Sequence, residues 1–329
     1  MYYIIILLVI LITIIFYFGM GLFAPTKDIE YDKYDLKGKV VIITGSNAGL
    51  GKEIAKKIGK LGAHIIFACR NELKAKEAIK EVFEFSNCEN DKLEFMKLDL
   101  LSLGSIKEFV NQFQNIKKLK CDILINNAGI MWLWEDKKWN NPITKNGGNQ
   151  FNTQFLANYL GHFLLTQLLF KNLMENQARI LNISSSVHSL GGFSLENLIN
   201  DTSYTFQTYC QSKLAQIYST YYLDSLINSV ENENITNKAT INAIHPGIFA
   251  SEIVNLPFPL DRLYHKIFKS AEYCARAIVK CAIENQYQSI SGKYFDDTKI
   301  INSSSLSYNK EIGKQLYQQS MDLIKDYLN

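Results

Sequence analysis

Short apolar runs alternate with longer amphipathic segments along most of this chain, and this alternation limits the possible folds more than any other feature. The apolar runs read as buried strands and cover residues 40–44, 64–69, 93–98, 122–126, 179–183 and 240–244. The segments between them have the apolar spacing of helices and cover residues 50–61, 72–85, 106–113, 152–174 and 209–226. Strands that alternate with helices predict a parallel sheet covered on both faces, with right-handed crossovers. The predicted fold class is therefore α/β, with a single doubly wound parallel sheet.

Composition and charge are those of a globular protein rather than a nucleic-acid-binding one. The 329 residues are 47% hydrophobic, which is enough for one large core. A formal net charge of +3 is too small for the basic footprint of a nucleic-acid-binding protein. The six cysteines form no CxxC pair and show no zinc-ligand spacing, so we predict reduced thiols and no metal site.

The first 24 residues predict a membrane anchor. Residues 2–24 carry no charge, and a helix of that length could cross a hydrocarbon core of about 30 Å. The run is longer than the apolar region of a secretory signal, so we favour a retained anchor over a cleaved signal or a surface-lying segment. Residues 25–37 are predicted to be a polar linker and residues 38–329 the folded domain. Lysines follow the span and none precedes it, so we expect the domain to face the cytosol, with the endoplasmic reticulum as the expected membrane.

A glycine-rich turn joins the first predicted strand to the first predicted helix. The sequence Thr-Gly-Ser-Asn-Ala-Gly-Leu-Gly at residues 44–51 would let the backbone approach a pyrophosphate, with the helix N-terminus facing the phosphates. A plain tight turn is the alternative, but the position between a strand and a helix favours a dinucleotide. The second predicted strand ends in Ala-Cys-Arg-Asn at residues 68–71. These residues include no carboxylate that could bind a ribose 2′-OH, whereas Arg70 could pair with a 2′-phosphate. We therefore predict NADP(H) rather than NAD(H).

Tyr209 and Lys213 are the residues best suited to proton transfer. They are four apart in a predicted helix, so their side chains point the same way. A nearby ammonium stabilises a phenolate, which would let Tyr209 exchange a proton with a substrate oxygen near neutral pH. Serines at residues 184–186 follow a predicted strand, at the sheet edge where such folds bind ligands. One of them could hold a carbonyl oxygen, although simple turn chemistry is the alternative.

Taken in order, these motifs resemble the short-chain dehydrogenase/reductase family from residue 38 to the C-terminus. The matches are TGSNAGLG at 44–51, LDL at 98–100, NNAG at 126–129, LNISS at 181–185, YCQSK at 209–213 and HPG at 245–247. A closer resemblance, to the retinol dehydrogenase branch, rests on residues 68–71, 158–166 and 291–295. The resemblance implies a Rossmann domain that moves a hydride between nicotinamide and a substrate carbonyl or hydroxyl.

The resemblance also implies a role for each matching residue. The positions that match the catalytic tetrad are Asn158, Ser185, Tyr209 and Lys213. Asn158 would hold a helix kink and a water that links Lys213 to solvent, and Ser185 is selected from the three serines by alignment.

The positions that match the family's cofactor site are spread over six motifs. They are Gly45, Asn47, Gly49, Leu50, Gly51, Arg70, Asp99, Asn126, Gly129, Tyr209, Lys213, Pro246, Gly247 and Ser251. Asp99 would meet the adenine, with Asn126 and Gly129 lining the same floor. The last three residues of the set would pack near the nicotinamide.

Two further segments bear on the substrate. Residues 249–268 are apolar and follow the last cofactor motif, which suits a lipophilic substrate such as a retinoid, a steroid or a fatty aldehyde. Residues 132–148 form an insertion whose tryptophans could line a substrate entrance or rest on the membrane interface. Two other activities stay open: a ring double-bond reductase of the protochlorophyllide reductase type, and a non-catalytic NADP(H)-binding scaffold. A homodimer is an assembly that the sequence allows.

Overall fold

The computed structural model describes residues 27–131, 143–146, 149–200, 205–229, 238–247 and 269–328. The strands, in chain order, are β1 Val40–Thr44, β2 His64–Cys69, β3 Leu93–Lys97, β4 Ile123–Asn126, β5 Ile143–Asn146, β6 Asn149–Asn152, β7 Arg179–Ile183, β8 Thr240–His245, β9 Tyr294–Asp296 and β10 Lys299–Ile301. Strands β5 and β6 form a separate hairpin, and the other eight form one sheet.

The order of the strands in this sheet is β3, β2, β1, β4, β7, β8, β9, β10. Every neighbouring pair from β3 to β9 is parallel, whereas β10 returns antiparallel to β9. The direction of winding reverses between β1 and β4. Ligands of doubly wound sheets bind beyond the carboxyl ends of the strands at such a reversal, so the topology locates the candidate site there. The predicted parallel sheet is confirmed, and the antiparallel edge strand is an addition to it.

Helices cover both faces of the sheet. They are α1 Gly49–Gly59, α2 Glu72–Ser86, α3 Leu103–Asn111, α4 Gly161–Glu175, α5 Leu195–Asn200, α6 Phe206–Ser229, α7 Ala271–Ile283 and α8 Lys310–Ile324. Successive residues of a strand face opposite sides, so Ile42 packs in one core and Ile43 in the other. Helices α1, α2 and α7 share the core that contains Ile43, and helices α3, α4, α6 and α8 share the core that contains Ile42.

The segment predicted as one helix over residues 152–174 is interrupted in the structure. A single helical turn, Thr153–Phe155, leads into a π-helical segment, Leu156–Leu160, and α4 begins only after it. Such π-helical insertions are rare and occur frequently at functional sites. Apolar periodicity could not show this interruption, because every residue of the π-helical segment is buried.

The predicted anchor, residues 1–24, lies outside the described residues, whereas most of the predicted linker lies within them. Ile29 is only 4% exposed and belongs to the core beneath α1 and α7. The carboxylate of Asp28 lies 3.5 Å from the guanidinium of Arg276 on α7. This part of the chain therefore contacts the domain through Ile29 and Asp28. Among the described residues, no helix is both long enough and apolar enough to cross a membrane.

Candidate active site

The glycine-rich turn lies between β1 and α1, at the reversal of strand order. Gly45 has a φ of +67°, and a Cβ at this position would lie 3.0 Å from that of Ala128. A Cβ at Gly51 would lie 2.5 Å from the carbonyl oxygen of Gly45. The turn therefore packs on itself and on the turn after β4 too closely for a side chain at either glycine.

Helix α1 begins without a side-chain cap. Its N-cap residue is Ala48, which makes no capping hydrogen bond, whereas Asn71 and Ser102 cap α2 and α3 with their side-chain oxygens. The first N–H groups of α1 are thus left for another partner, and a phosphate is a favourable one at a helix N-terminus. A Cβ at Gly49 would meet nothing within 4 Å, so the space beside the turn is open. These features fit the pyrophosphate of a dinucleotide.

Thr44, the last residue of β1, forms hydrogen bonds with the turn that follows β4. The hydroxyl of Thr44 accepts hydrogen bonds from the backbone N–H groups of Asn127 and Ala128, both at 2.9 Å. The side-chain amide of Asn127 donates in return to the carbonyl oxygen of Thr44 at 2.9 Å. The two turns at the floor of the site are held as one unit by these three bonds.

Four predicted cofactor residues surround this unit. Arg70 is exposed directly after β2, and Asn47 is half-buried in the glycine turn. Asp99 follows β3 and accepts the backbone N–H of Leu101 with one carboxylate oxygen at 3.0 Å. Leu50 packs in the core, so what it can offer a phosphate is its backbone N–H.

Asn126 and Gly129, predicted to line one floor, have different surroundings. Asn126 is 1% exposed, and its amide donates to Thr166 at 3.2 Å and Asn182 at 2.8 Å. Its side chain therefore supports the end of β4 from inside the core and does not line the floor. A Cβ at Gly129 would lie 3.4 Å from the side-chain oxygen of Asn158, so this glycine does border the site.

The turn after β8 carries the predicted nicotinamide contacts. Pro246 is buried, and Gly247 has a φ of +90° and lies against Cys274. Ser251 lies outside the described residues. Apart from β5, the insertion at residues 132–148 lies outside them, and so does the whole apolar segment at 249–268. The expectations about the substrate therefore stay predictions.

Asn158 lies in the centre of the π-helical segment and holds two other parts of the site. Its side-chain oxygen accepts the N–H of Ile130 at 2.8 Å, and its amide donates to the carbonyl of Ile130 at 2.9 Å and to the hydroxyl of Ser212 at 3.0 Å. Its own carbonyl accepts from Gln216 at 2.8 Å and lies 3.2 Å from a ring nitrogen of His162. The asparagine thus links the turn after β4 to helix α6.

Tyr209 and Lys213 lie on the same side of α6, as their spacing predicts. The Lys213 ammonium nitrogen lies 5.6 Å from the centre of the Tyr209 ring and donates to the carbonyl of Ile183 at 2.8 Å. Lys213 is only 4% exposed, and burial lowers its pKa to about 7. The charged and neutral forms of this lysine are therefore both accessible near neutral pH.

The three serines after β7 have different environments. Ser184 is buried, and its hydroxyl donates to the carbonyl of Lys213 at 2.9 Å. This bond ties β7 to α6 and commits the hydroxyl, which removes one of the three candidates. Ser185 is half-buried, and its hydroxyl accepts the N–H of Val187 at 3.4 Å, which leaves the hydroxyl hydrogen for another partner. Its carbonyl accepts from the ring of His188 at 2.7 Å, so the serine turn is anchored on its own backbone.

The motif at residues 291–295, which carried part of the family resemblance, has a structural role. The hydroxyl of Ser291 accepts the backbone N–H of Ile241 at 3.0 Å. Gly292 has a φ of +64°, and a Cβ there would collide with the carboxylate of Asp224. The motif forms the turn that leads into β9, so its role in the structure is to support the fold.

Sequence interpretation missed four residues that support the site. They are Thr44, His162, Ser212 and Gln216, all of them buried. Thr44 and His162 are polar residues inside an otherwise apolar strand or helix, and that anomaly is a signal that could have marked them. Ser212 and Gln216 lie in a helix with many polar residues, so no such signal marks them.

Comparisons with known proteins identify the family of the chain. A family model described as short chain dehydrogenase matches residues 39–257. Mouse retinol dehydrogenase 12 is 36% identical over 294 residues, which cover 88% of this chain and 87% of the relative. Human polyprenol dehydrogenase is 33% identical over 296 residues, or 87% of this chain and 84% of the relative. A solved structure, an uncharacterized protein from Mycobacterium paratuberculosis, superposes with a TM-score of 0.69 at 25% identity, covering 91% of this chain and 98% of its own. The predicted likeness to the retinol dehydrogenase branch is confirmed.

Proposed function

Because the chain belongs to the short chain dehydrogenase family, as its motifs predicted, we propose that it is an NADP-dependent oxidoreductase that interconverts a carbonyl and an alcohol on a lipophilic substrate. The observation that carries the proposal is a buried lysine, Lys213, beside the Tyr209 ring at the carboxyl edge of the sheet. The nicotinamide of a bound cofactor would supply or accept the hydride. The residues of the chain would bind the substrate oxygen and move its proton.

Tyr209 is the proposed acid and base. In the reductive direction its hydroxyl donates a proton to the substrate oxygen as the carbonyl becomes an alcohol, and in oxidation the phenolate takes that proton back. Lys213 in its charged form stabilises the phenolate. Because Lys213 is fixed by the carbonyl of Ile183, its charge stays close to the phenol throughout the reaction.

Asn158 and Gly129 are proposed to connect Lys213 to solvent. A Cβ at Gly129 would lie 3.4 Å from the side-chain oxygen of Asn158 and 3.5 Å from the Lys213 ammonium. A glycine therefore leaves room above both polar groups, where a water could accept from the lysine and donate to the asparagine. This supports the role that the family resemblance implies for Asn158.

Ser185 is proposed to hold the substrate oxygen opposite Tyr209. The hydroxyl of Ser184 is committed to helix α6, whereas the hydroxyl hydrogen of Ser185 remains for another acceptor. A donor fixed in this way stabilises the negative charge that develops on a carbonyl oxygen during hydride transfer.

NADP is the proposed form of the cofactor. Arg70 is exposed directly after β2, where the ribose of a dinucleotide bound at the glycine turn would lie. A guanidinium can form two parallel hydrogen bonds with a 2′-phosphate, and no carboxylate at residues 68–71 opposes it.

A lipophilic substrate at a membrane is the remaining part of the proposal. The names of two relatives refer to retinol and polyprenol, both alcohols with long hydrocarbon chains. The uncharged run at residues 2–24 would bring the enzyme to substrates that partition into lipid. We propose an endoplasmic reticulum location with the domain facing the cytosol, on the strength of the lysines that follow that run.

Tyr209→Phe tests the mechanism. The change removes one hydroxyl, so we expect kcat to fall by about 10²- to 10⁴-fold while NADPH affinity is kept. The measurement is NADPH absorbance with purified protein and a panel of retinal, steroid ketones and long-chain aldehydes. Tyr222→Phe is the matched control, because Tyr222 lies on the same helix but packs against Tyr317, away from Lys213.

Two outcomes would contradict the proposal. Equal turnover by Tyr209→Phe and the wild type would reject Tyr209 as the proton donor. NADPH binding without oxidation across the whole panel would favour the non-catalytic scaffold.

Arg70→Ala tests the cofactor preference. Loss of a charge-assisted pair should raise KM for NADPH by about tenfold or more and leave KM for NADH nearly unchanged. Lys74→Ala, which removes another exposed cation near the start of α2, is the control. An unchanged ratio of the two Michaelis constants would reject Arg70 as the phosphate-binding residue.

A further inference from the structure

His162 is buried beneath the candidate site, and its surroundings determine which ring nitrogen carries the hydrogen. Nδ1 lies 3.2 Å from the carbonyl oxygen of Asn158, which can only accept, so Nδ1 is the protonated nitrogen. The side chain is 3% exposed, and burial, with the charge of Lys213 as a smaller cause, lowers its pKa to about 3. The ring is therefore neutral at ordinary pH, and Nε2 is an acceptor.

The acceptor nitrogen fixes the hydroxyl of Thr44. Nε2 lies 2.9 Å from this hydroxyl, so the Thr44 O–H donates to the ring. The carbonyl oxygen of Ile125 is a second acceptor, but at 3.4 Å it is much farther from the hydroxyl than the ring nitrogen. With its single hydrogen directed to the ring, the oxygen presents its lone pairs to the N–H groups of Asn127 and Ala128. The orientation of one hydroxyl, and with it the joint between the two cofactor turns, depends on the tautomer of His162.

The donor nitrogen, Nδ1 of His162, supports Asn158, which contacts the helix that carries Tyr209. The carbonyl of Asn158 accepts from His162 and from Gln216 of α6, and the Asn158 amide donates to the hydroxyl of Ser212. Ser212 in turn donates to the carbonyl of Tyr209 at 2.7 Å. A continuous set of hydrogen bonds therefore runs from β1 to the helix that carries the proposed acid. We call this set the site network; its members are Thr44, Asn127, Asn158, His162, Ser212 and Gln216.

We propose that His162 is a positioning residue that couples the cofactor-binding turns to the catalytic helix through its two ring nitrogens. The catalytic half of this coupling rests on the proposed function, whereas the cofactor half concerns binding alone. A neutral imidazole is well suited to the task, because it donates and accepts at two rigidly spaced atoms in a place where a charge would be costly.

Two substitutions separate the two bonds. His162→Asn places an amide near the position of Nδ1, so it keeps a donor for Asn158 and loses the acceptor for Thr44. His162→Gln reaches the position of Nε2, so it keeps an acceptor for Thr44 and loses the donor for Asn158. Both variants remove one buried ring, so if the role of His162 were purely structural, both should change Kd for NADPH and kcat to the same extent.

The expected result is a split between binding and turnover. His162→Asn should raise Kd for NADPH about tenfold with kcat within about threefold of the wild type, because the Thr44 hydroxyl that joins the cofactor turns loses the acceptor that orients it. His162→Gln should lower kcat about tenfold with Kd within about threefold, because Asn158 loses one of its supports. Kd is measured by the fluorescence of bound NADPH, and kcat by its absorbance.

Thr44→Val supplies a double-mutant cycle. It removes the bond to His162 and also the two bonds that the Thr44 hydroxyl accepts from Asn127 and Ala128, so Thr44→Val should be the weaker binder of the two single variants. The double variant should bind NADPH no more weakly than Thr44→Val alone. Thr220→Val is the control, because it also deletes a buried threonine hydroxyl. That hydroxyl accepts from Asn182 and donates to the backbone carbonyl of Gln216, so its loss leaves the side-chain bonds of the site network in place. This variant should leave Kd unchanged.

The tautomer itself can be read from ¹⁵N NMR of histidine-labelled protein, with His162→Asn to assign the signal. A ring protonated at Nδ1 at pH 7 supports the proposal, and one protonated at Nε2 overturns it. Equal changes of Kd in the two variants would also overturn it. A wild type that binds NADPH but reduces no substrate would defeat the proposed function, and the Kd contrast and the tautomer would still decide the role of His162.

Discussion

Two buried polar networks lie side by side behind the candidate site, and they differ in where they end. The site network ends at groups that border the site, namely the backbone of Ile130 and the carbonyl of Tyr209. The second, which we call the core network, joins four side chains inside the core: Asn126, Thr166, Asn182 and Thr220. The two networks meet at two backbone carbonyls: the hydroxyl of Thr166 donates to that of His162 on α4, and the hydroxyl of Thr220 donates to that of Gln216 on α6, both at 2.8 Å.

The comparison shows that burial and hydrogen bonding do not by themselves identify functional residues. Both networks contain buried asparagines and threonines, and loss of any member leaves a partner unsatisfied. The site network positions groups that would touch cofactor or substrate, whereas the core network joins strands to helices. Substitutions in the first should therefore act on turnover or on cofactor affinity, and substitutions in the second on stability.

Among substitutions in the two networks, Asn158→Ala should have the largest effect on turnover. It releases the backbone of Ile130 and the hydroxyl of Ser212 together, so we expect kcat to fall by about 100-fold or more through misplacement of the catalytic helix. Asn172→Ala is the control. The side-chain amide of Asn172, near the other end of α4, also accepts from a backbone N–H, that of Cys121, and donates to a backbone carbonyl, that of Leu119. Steady-state kinetics and thermal unfolding of both variants provide the measurement. Similar kcat values in the two would contradict the positioning role of Asn158.

Lys213 should impose a pH dependence on the reductive reaction. Its pKa is lowered by burial to about 7, so the ammonium form is lost as pH rises through that value. Since the ammonium stabilises the Tyr209 phenolate, kcat/KM for reduction should fall about tenfold per pH unit above 7. Lys57→Met is the control, because Lys57 is also buried with a lowered pKa but pairs with Glu272 on α7. A profile for the wild type that stays flat between pH 6 and 9 would show that this lysine does not control the reaction.

The fold could be predicted from the sequence because its signals are local. Strands β1, β2 and β7 begin and end at the predicted residues, since each is a short, largely apolar run followed directly by glycine or a polar residue. Strands β9 and β10 contain three residues each, too few to establish a pattern, and they were not predicted. The glycine turn was found because its motif occupies eight consecutive positions.

The support of the site could not be predicted in the same way. Thr44 and His162 are 118 residues apart in the chain, and Asn158 and Ser212 are 54 apart. A hydrogen bond over such a separation leaves no periodic trace in the sequence. Asn126 was misplaced for a related reason, because a motif identifies neighbours in the chain but not which of two adjacent asparagines turns into the core.

The smallest effect on turnover should come from loss of the hydrogen bond between the Thr166 hydroxyl and the His162 carbonyl, one of the two places where the networks meet. Thr166→Val removes the hydroxyl that donates to the His162 carbonyl and accepts from Asn126, so the free energy of unfolding should fall by about 1–3 kcal/mol. The ring of His162 is held by Thr44 and Asn158 and not by this carbonyl contact, so kcat and Kd for NADPH should both stay within about twofold. Denaturant unfolding and NADPH fluorescence measure the two quantities on the same sample. A rise in Kd comparable to that of His162→Asn would mean that the two networks act as one, and that the stability of the core is itself part of cofactor binding.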